Sequence, residues 1–352
     1  MLYVPQACRA LACLLVAVDH GAGLIGHHHG VMPLFGLSEF GFSGVHLFFV
    51  ISGLIIYHAH RHDLDDPKAA PRYLLKRFVR IYPFYWIVFL ALGGRWVFTD
   101  RMGIGEFLTN ALLFSSTKKL VVSVSWTLAY EMIFYGLFVA FLIKRNLGIA
   151  VFAAWFASIA LNHHYHFAES IALDVINLLF LLGLLTAIAV SALRSRLESG
   201  RRDQIAIVSL IAGAVTFLYT AWVCLSLPAR DIGVWRSLPL TLGFGTGAAL
   251  LLFASVSEKV EEFLKRQRLL LLIGDASYSI YLVHFYVQKR TGNAIRSLGW
   301  VPSGEITQTT ALLLLAVTLL VSVGGGILIH KAIEKPVLAR CRKWLGLGAG
   351  VR

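Results

Sequence analysis

Ten apolar runs, each close to the length that crosses a bilayer, divide the chain at roughly 7–26, 41–60, 79–98, 125–143, 148–163, 171–193, 204–226, 233–256, 271–288 and 309–330. Nothing else constrains the fold as much. In hydrocarbon every backbone N–H and C=O must be satisfied internally, so runs of this length are expected to become α-helices. Composition agrees: of 352 residues 57% are hydrophobic and only 14% charged, too few charges to cover a soluble domain of this size. The expectation is an all-α, polytopic integral membrane helical bundle of about ten transmembrane helices. A single transmembrane domain would fill residues 1–352, with no soluble extension. Residues 104–114 (IGEFLTNALLF) are too short to cross and are expected at an interface or in a re-entrant turn. The run 271–288 is interrupted by Asp275 and His284.

A net charge of +13 would suggest nucleic acid if the basic residues formed a surface patch. Here they punctuate the apolar runs, as topology signals do, and no nucleic-acid partner is expected. With the N-terminus placed in the cytoplasm, 23 of the 32 Lys and Arg residues fall in inner segments and nine in outer ones. That asymmetry, with an even number of spans, puts both termini inside. Cys8, Cys13, Cys224 and Cys341 lie in or beside apolar runs with no CxxC pair, so neither zinc nor a disulfide framework is indicated. The first run lacks a basic lead and a small-residue cleavage site and is read as a retained span.

Within the first run, RALACLLVAVDH (9–20) places ionisable groups where charge is costly. Eleven residues of α-helix rise about 16 Å and return to within roughly 20° of the same face, which puts His20 near mid-bilayer directly above Arg9. A buried histidine can also simply bridge two helices, with Asp19 as a structural partner; if Asp19 does touch His20, it would fix the imidazole tautomer. A second signal is YLLKRFVRIYPFYW (73–86), where Arg77 and Arg80 share a helix face at the inner mouth of the third span. Guanidinium forks suit phosphate oxygens, although arginines at such a boundary also serve as topology anchors. Together the two signals describe a phosphate-rich ligand held at the inner boundary whose reactive end meets a base about 16 Å along the first run. A cytoplasmic acyl-CoA inserted tail-first fits that description.

Several stretches in order, Arg9-x10-His20, GVHLFFVISGLII (44–56), KRFVRIYPFYW (76–86), SWTLAYEMIFYGLF (125–138), GDASYSIYLVHF (274–285) and EKP (334–336), resemble the acyltransferase 3 family of integral membrane O-acyltransferases, in particular its exopolysaccharide-acetylating branch. The resemblance covers almost the whole chain. It implies a bacterial inner-membrane protein that transfers an acyl group, acetyl by resemblance, from cytoplasmic acyl-CoA to a carbohydrate hydroxyl at or beyond the outer face. The donor is a substrate, and no permanently bound cofactor is implied. The acceptor is a surface or exported glycan, whether or not linked to membrane lipid. By resemblance His20 is the essential histidine, Arg9, Arg77 and Arg80 handle acyl-CoA, and Glu131 holds a recurring acidic position. One departure stands out: the family usually carries Asp where this chain has His46.

The residue roles follow. His20 is expected to act as general base, its unperturbed pKa near 6.5 suiting a neutral acceptor, with Asp19 and Glu131 beside it in the catalytic set. Glu131 would orient His20 or bind a sugar hydroxyl, and a pairing with arginine is the structural alternative. Trp126, Tyr130, Tyr278, Tyr281 and His284 are candidates for the substrate path, and core packing is the alternative for the two tyrosines of the ninth span. Glu334 is expected to anchor the inner end of the last span. The clusters His27–His29 and His163–His166 lack the spacing of a familiar metal site, and no metal is expected. A transporter or flippase of glycan intermediates is the competing reading, since mid-membrane ionisable residues also mark transport paths.

Overall fold

The computed structural model describes residues 2–99, 102–114, 120–227, 236–302 and 304–347, with backbone alone for 95–98. Among them there is no strand. Thirteen α-helices follow in chain order: α1 (Tyr3–His29), α2 (Ser43–His60), α3 (Ala69–Phe98), α4 (Ile104–Ala111), α5 (Trp126–Ile143), α6 (Arg145–Tyr165), α7 (Leu178–Arg196), α8 (Ser199–Ser226), α9 (Leu238–Phe253), α10 (Glu258–Lys265), α11 (Arg268–Ser297), α12 (Gln308–Ile329) and α13 (Lys335–Trp344). Among the described residues nine helical segments are long and apolar enough to cross a membrane, and they coincide with nine of the ten expected spans. The tenth, 79–98, lies inside α3. The all-α membrane bundle is thus the observed fold.

The chain divides into two compact units, Met1–Tyr57 with Leu179–His330, and His58–Leu178 with Lys331–Arg352. In the first unit α1 is the axis. It runs parallel to α11: Gln6 Nε2 donates to Asp275 Oδ1 at 2.6 Å, Arg9 Nε to Ser277 Oγ at 3.1 Å, and Gln288 Nε2, farther along α11, to the Ala17 carbonyl at 2.9 Å. Two helices separated by an odd number of crossings run the same way, and the seven expected between them include 79–98. Helix α12 runs antiparallel to α1 and packs Ala311, Leu314 and Leu315 around Ile25.

Close approach in this unit depends on small residues, because helices in lipid associate by van der Waals contact rather than by expelling water. Gly53 of α2 faces the Phe180 carbonyl of α7, and Gly183 of α7 faces the Val50 carbonyl of α2, so a Cβ on either glycine would strike backbone. The N-terminus of α1 has no cap of its own. Its orphan Tyr3 and Val4 N–H groups donate instead to the Glu261 carboxylate of α10. Burial raises the Glu261 carboxyl above its ordinary value, although Tyr3 N–H and Arg194 pull the other way. Along α8 the residues Ile207, Ile211, Val215, Leu218 and Trp222 are all exposed, the helix-spaced stripe expected of a lipid-facing surface.

In the second unit, the aromatic half of the 76–86 stretch is structural. Tyr82 Oη, Tyr85 Oη and Trp86 Nε1 donate to the Leu112, Asn110 and Ala111 carbonyls at 2.9, 2.8 and 2.8 Å, satisfying the orphan C-terminal carbonyls of α4. Eight residues of helix rise about 12 Å, too little to cross hydrocarbon. Its exposed Ile104, Leu108 and Leu112 fall at a four-residue spacing, as suits a helix lying at an interface.

Candidate active site

His20 and His284 meet across the parallel seam of α1 and α11. Nδ1 of His20 lies 2.8 Å from Nε2 of His284, and their ring planes differ by 4° with centroids 5.1 Å apart. Near-coplanar rings at that nitrogen separation are joined edge to edge through an in-plane hydrogen bond, not stacked face to face. The other nitrogen of His284, Nδ1, lies 2.7 Å from the Tyr281 carbonyl oxygen and 3.2 Å from that of Ile280.

These partners determine where the protons sit. A carbonyl oxygen only accepts, so Nδ1 of His284 carries hydrogen. In the neutral ring its Nε2 is then an acceptor, which requires His20 to donate from Nδ1. The lone pair of His20 is left on Nε2. The relay therefore delivers a single tautomer of His20 with its basic nitrogen free of the pair. His284 is 1% exposed, while His20 is partly buried with the edge of Phe285 against it at 5.4 Å.

Arg9 and His20 both face α11, through Ser277 and His284, as their eleven-residue spacing requires. The Cβ of Asp19 lies beside Gly41. The ring nitrogen of His20 that an orienting carboxylate would engage is taken by His284.

In the second unit the two arginines of α3 are held differently. Arg80 Nη1 donates to Glu334 Oε1 at 2.8 Å, and the Glu334 side chain is fully buried whereas Arg80 keeps 26% of its side-chain surface. Arg77 Nη2 lies 3.0 Å from Nε2 of His60, whose Nδ1 lies 2.8 Å from Asp63 Oδ2. His60 accepts from the guanidinium and donates to the carboxylate. Arg77 also lies between the Tyr73 and Tyr135 rings, 5.7 Å from each centroid.

The sequence profile of an acyltransferase domain, that of the acyltransferase 3 family, matches residues 3–330. The chain belongs to the acyltransferase 3 family. It is similar to the exopolysaccharide production protein ExoZ of Rhizobium meliloti (strain 1021), 26% identical over 337 residues that cover 92% of this chain and 95% of the relative. No solved structure matches it. This chain is an integral membrane acyltransferase.

Other candidates in the acyltransferase are placed as follows. Trp126 packs edge-on against Tyr130 with centroids 5.7 Å apart, and Tyr130 Oη donates to Asp174 Oδ2 at 2.9 Å. Asp174 in turn accepts the Ile176 N–H at 3.0 Å, so Tyr130 braces a turn. Glu131 is half-buried on α5, in the second unit. Tyr278 and Tyr281 are buried on α11, and Tyr281 packs against Phe48. His46 is fully buried between the Phe42 and Phe244 rings. His27 and His28 touch ring to ring, as do His163 and His166. Among the described residues no group of three or more His, Cys, Asp or Glu is arranged to hold a metal.

Sequence reasoning had no roles for Ser277, Gln288, His60 and Asp63. The first two were readable: Ser277, Tyr281, His284 and Gln288 fall at i, i+4, i+7 and i+11, one polar stripe on an apolar helix. His60 and Asp63 lie at and just beyond the end of α2, and no local pattern ties them to Arg77.

Proposed function

We propose that the protein transfers an acetyl group from cytoplasmic acetyl-CoA to a hydroxyl of an exported polysaccharide in a bacterial inner membrane, with both termini on the cytoplasmic side. His20 acts as general base. The observation that carries this reading is the His20–His284 pair, whose carbonyl anchors leave an accepting Nε2 on a partly buried ring about 16 Å along α1 from Arg9. The name of the Rhizobium relative supports exopolysaccharide as the acceptor class.

The donor enters tail-first with its phosphates at the inner boundary. Arg9 stands at the inner end of α1, Arg77 and Arg80 handle acyl-CoA as the family resemblance implies, and the pantetheine arm carries the thioester toward His20. The acceptor hydroxyl oxygen attacks the thioester carbonyl as Nε2 of His20 takes its proton. The new C–O bond forms, the C–S bond breaks, and the coenzyme A thiolate leaves and regains a proton. His284 holds the ring and tautomer, and Asp19 and Glu131 are not needed for that role. Such base catalysis typically contributes 10²–10⁴-fold, the rest coming from positioning.

The test is His20→Ala in purified protein supplied with labelled acetyl-CoA, together with mass spectrometry of polysaccharide from cells expressing either form. Transfer should fall by at least about 10²-fold with acetyl-CoA binding retained. Unchanged acylation in the variant would remove His20 from the chemistry. Movement of glycan without acyl-CoA, blocked by the same variant, would favour transport instead.

A further inference from the structure

The C-terminal ends of α1 and α11, with Leu314 and Thr318 of α12, line a shallow, partly open recess whose enclosed space takes only a hydroxyl or a water or two. It starts one helical turn past the imidazole pair, with Gly21 and Leu24 following His20 on α1 and Gln288 following His284 by four residues on α11. His28, Lys289 and Arg296 bring basic groups to its lining, and no carboxylate is among the lining residues.

Gln288 is the informative side chain. It is 2% exposed, and its Nε2 donates to the Ala17 carbonyl, which fixes which end of the amide is which. Its Oε1 is buried with no hydrogen-bond partner. A buried acceptor left unmatched is costly, and an entering hydroxyl would satisfy it. The cations carry a second message. Under the topology proposed above, Lys289, Arg290 and Arg296 are three of the nine Lys and Arg on the outer side, where the positive-inside bias gives no reason for them.

We propose that this recess is the acceptor subsite and that it selects an anionic glycan. A sugar hydroxyl other than the reacting one donates to Gln288 Oε1, while a carboxylate or phosphate on the same acceptor pairs with Lys289 and Arg296. The inference rests on the acyltransferase reading above, since it presents a neighbouring, reacting hydroxyl of the same sugar to His20 from the end of α1 opposite Arg9. The anion has two chemical sources, an acidic sugar in the glycan or the diphosphate of a polyprenyl carrier.

Binding of three probes to the full-length protein in nanodiscs tests this: a neutral gluco-oligosaccharide, the same oligosaccharide with one glucuronate, and a polyprenyl diphosphate-linked glucose. At least one anionic probe should bind on the order of tenfold tighter than the neutral one, and the one that does identifies the source. Lys289→Gln with Arg296→Gln should erase that preference, and Gln288→Leu should weaken all probes alike. Should Gln288→Leu fail to fold, the two charge substitutions, one exposed and one half-exposed, still decide. Equal binding of all three probes, or a preference that survives the double variant, overturns the proposal. His20→Ala should lose transfer yet keep the preference, so failure of the base and failure of the subsite give different results.

Discussion

The α1–α11 seam and the arginine face of α3 both set polar groups in apolar helices, and they resolve the cost in opposite ways. On α3 each chain of contacts ends in an opposite charge: Arg80 on the buried Glu334, and Arg77 through neutral His60 on Asp63. At the seam the chain ends on the backbone carbonyls of Tyr281 and Ile280, and its far end, His20 Nε2, is left open. A chain closed by a counter-charge fixes a cation in place. One closed by a carbonyl fixes a tautomer and leaves a lone pair available for chemistry.

The comparison breaks most sharply at Glu334. Glu334→Ala takes the fully buried carboxylate away from Arg80, whose side chain keeps 26% of its surface, and should cost about 1.5–3 kcal/mol, read as a lowered unfolding midpoint in detergent. Arg80→Met combined with Glu334→Leu should recover most of that loss. Next comes His284. His284→Ala should lower kcat about 10–100-fold with KM for acetyl-CoA little changed, since it acts through His20. His284→Gln, whose amide oxygen can still accept from His20 Nδ1–H, should restore part of the rate; equal loss in both variants would argue for packing alone.

Smaller effects sharpen the other side. Arg77→Lys loses the guanidinium fork that holds His60 and, on the proposed reading, handles the donor, and should raise KM for acetyl-CoA severalfold while leaving kcat near wild type. The smallest effect concerns Glu261, beneath the N-terminus of α1. Its carboxyl lies above its ordinary value, so the folded state holds the proton more tightly than the unfolded chain. The stability this contributes is present in full below the unfolded value, near 4.5, and is lost as pH rises through the higher folded value. Glu261→Gln keeps an acceptor for Tyr3 and Val4 and should flatten that slope in thermal melts taken from pH 4 upward.

Much of the fold was legible because hydropathy reports segment length directly, and nine expected spans coincide with observed helices. The 3.6-residue period likewise placed Arg9 and His20 on one face. Less legible was the 76–86 stretch. Its arginines read as phosphate ligands, yet Tyr82, Tyr85 and Trp86 within it serve to close α4, a contact 25 to 30 residues away in sequence. The sequence alone puts His284 only on a candidate substrate path, because nothing local reveals a partner 264 residues distant.

By itself the sequence determined that this chain enters a membrane as helices, where its cations lie along the chain, and which histidine stands above Arg9. Those are consequences of bilayer thickness and helical pitch, which act on every segment separately. Only the tertiary structure decided that His284, running parallel to α1, sets the proton on His20, that Glu334 closes Arg80, and that Gln288 keeps an unmatched oxygen. Each of these depends on two distant helices being brought within hydrogen-bond distance, and packing alone fixes that.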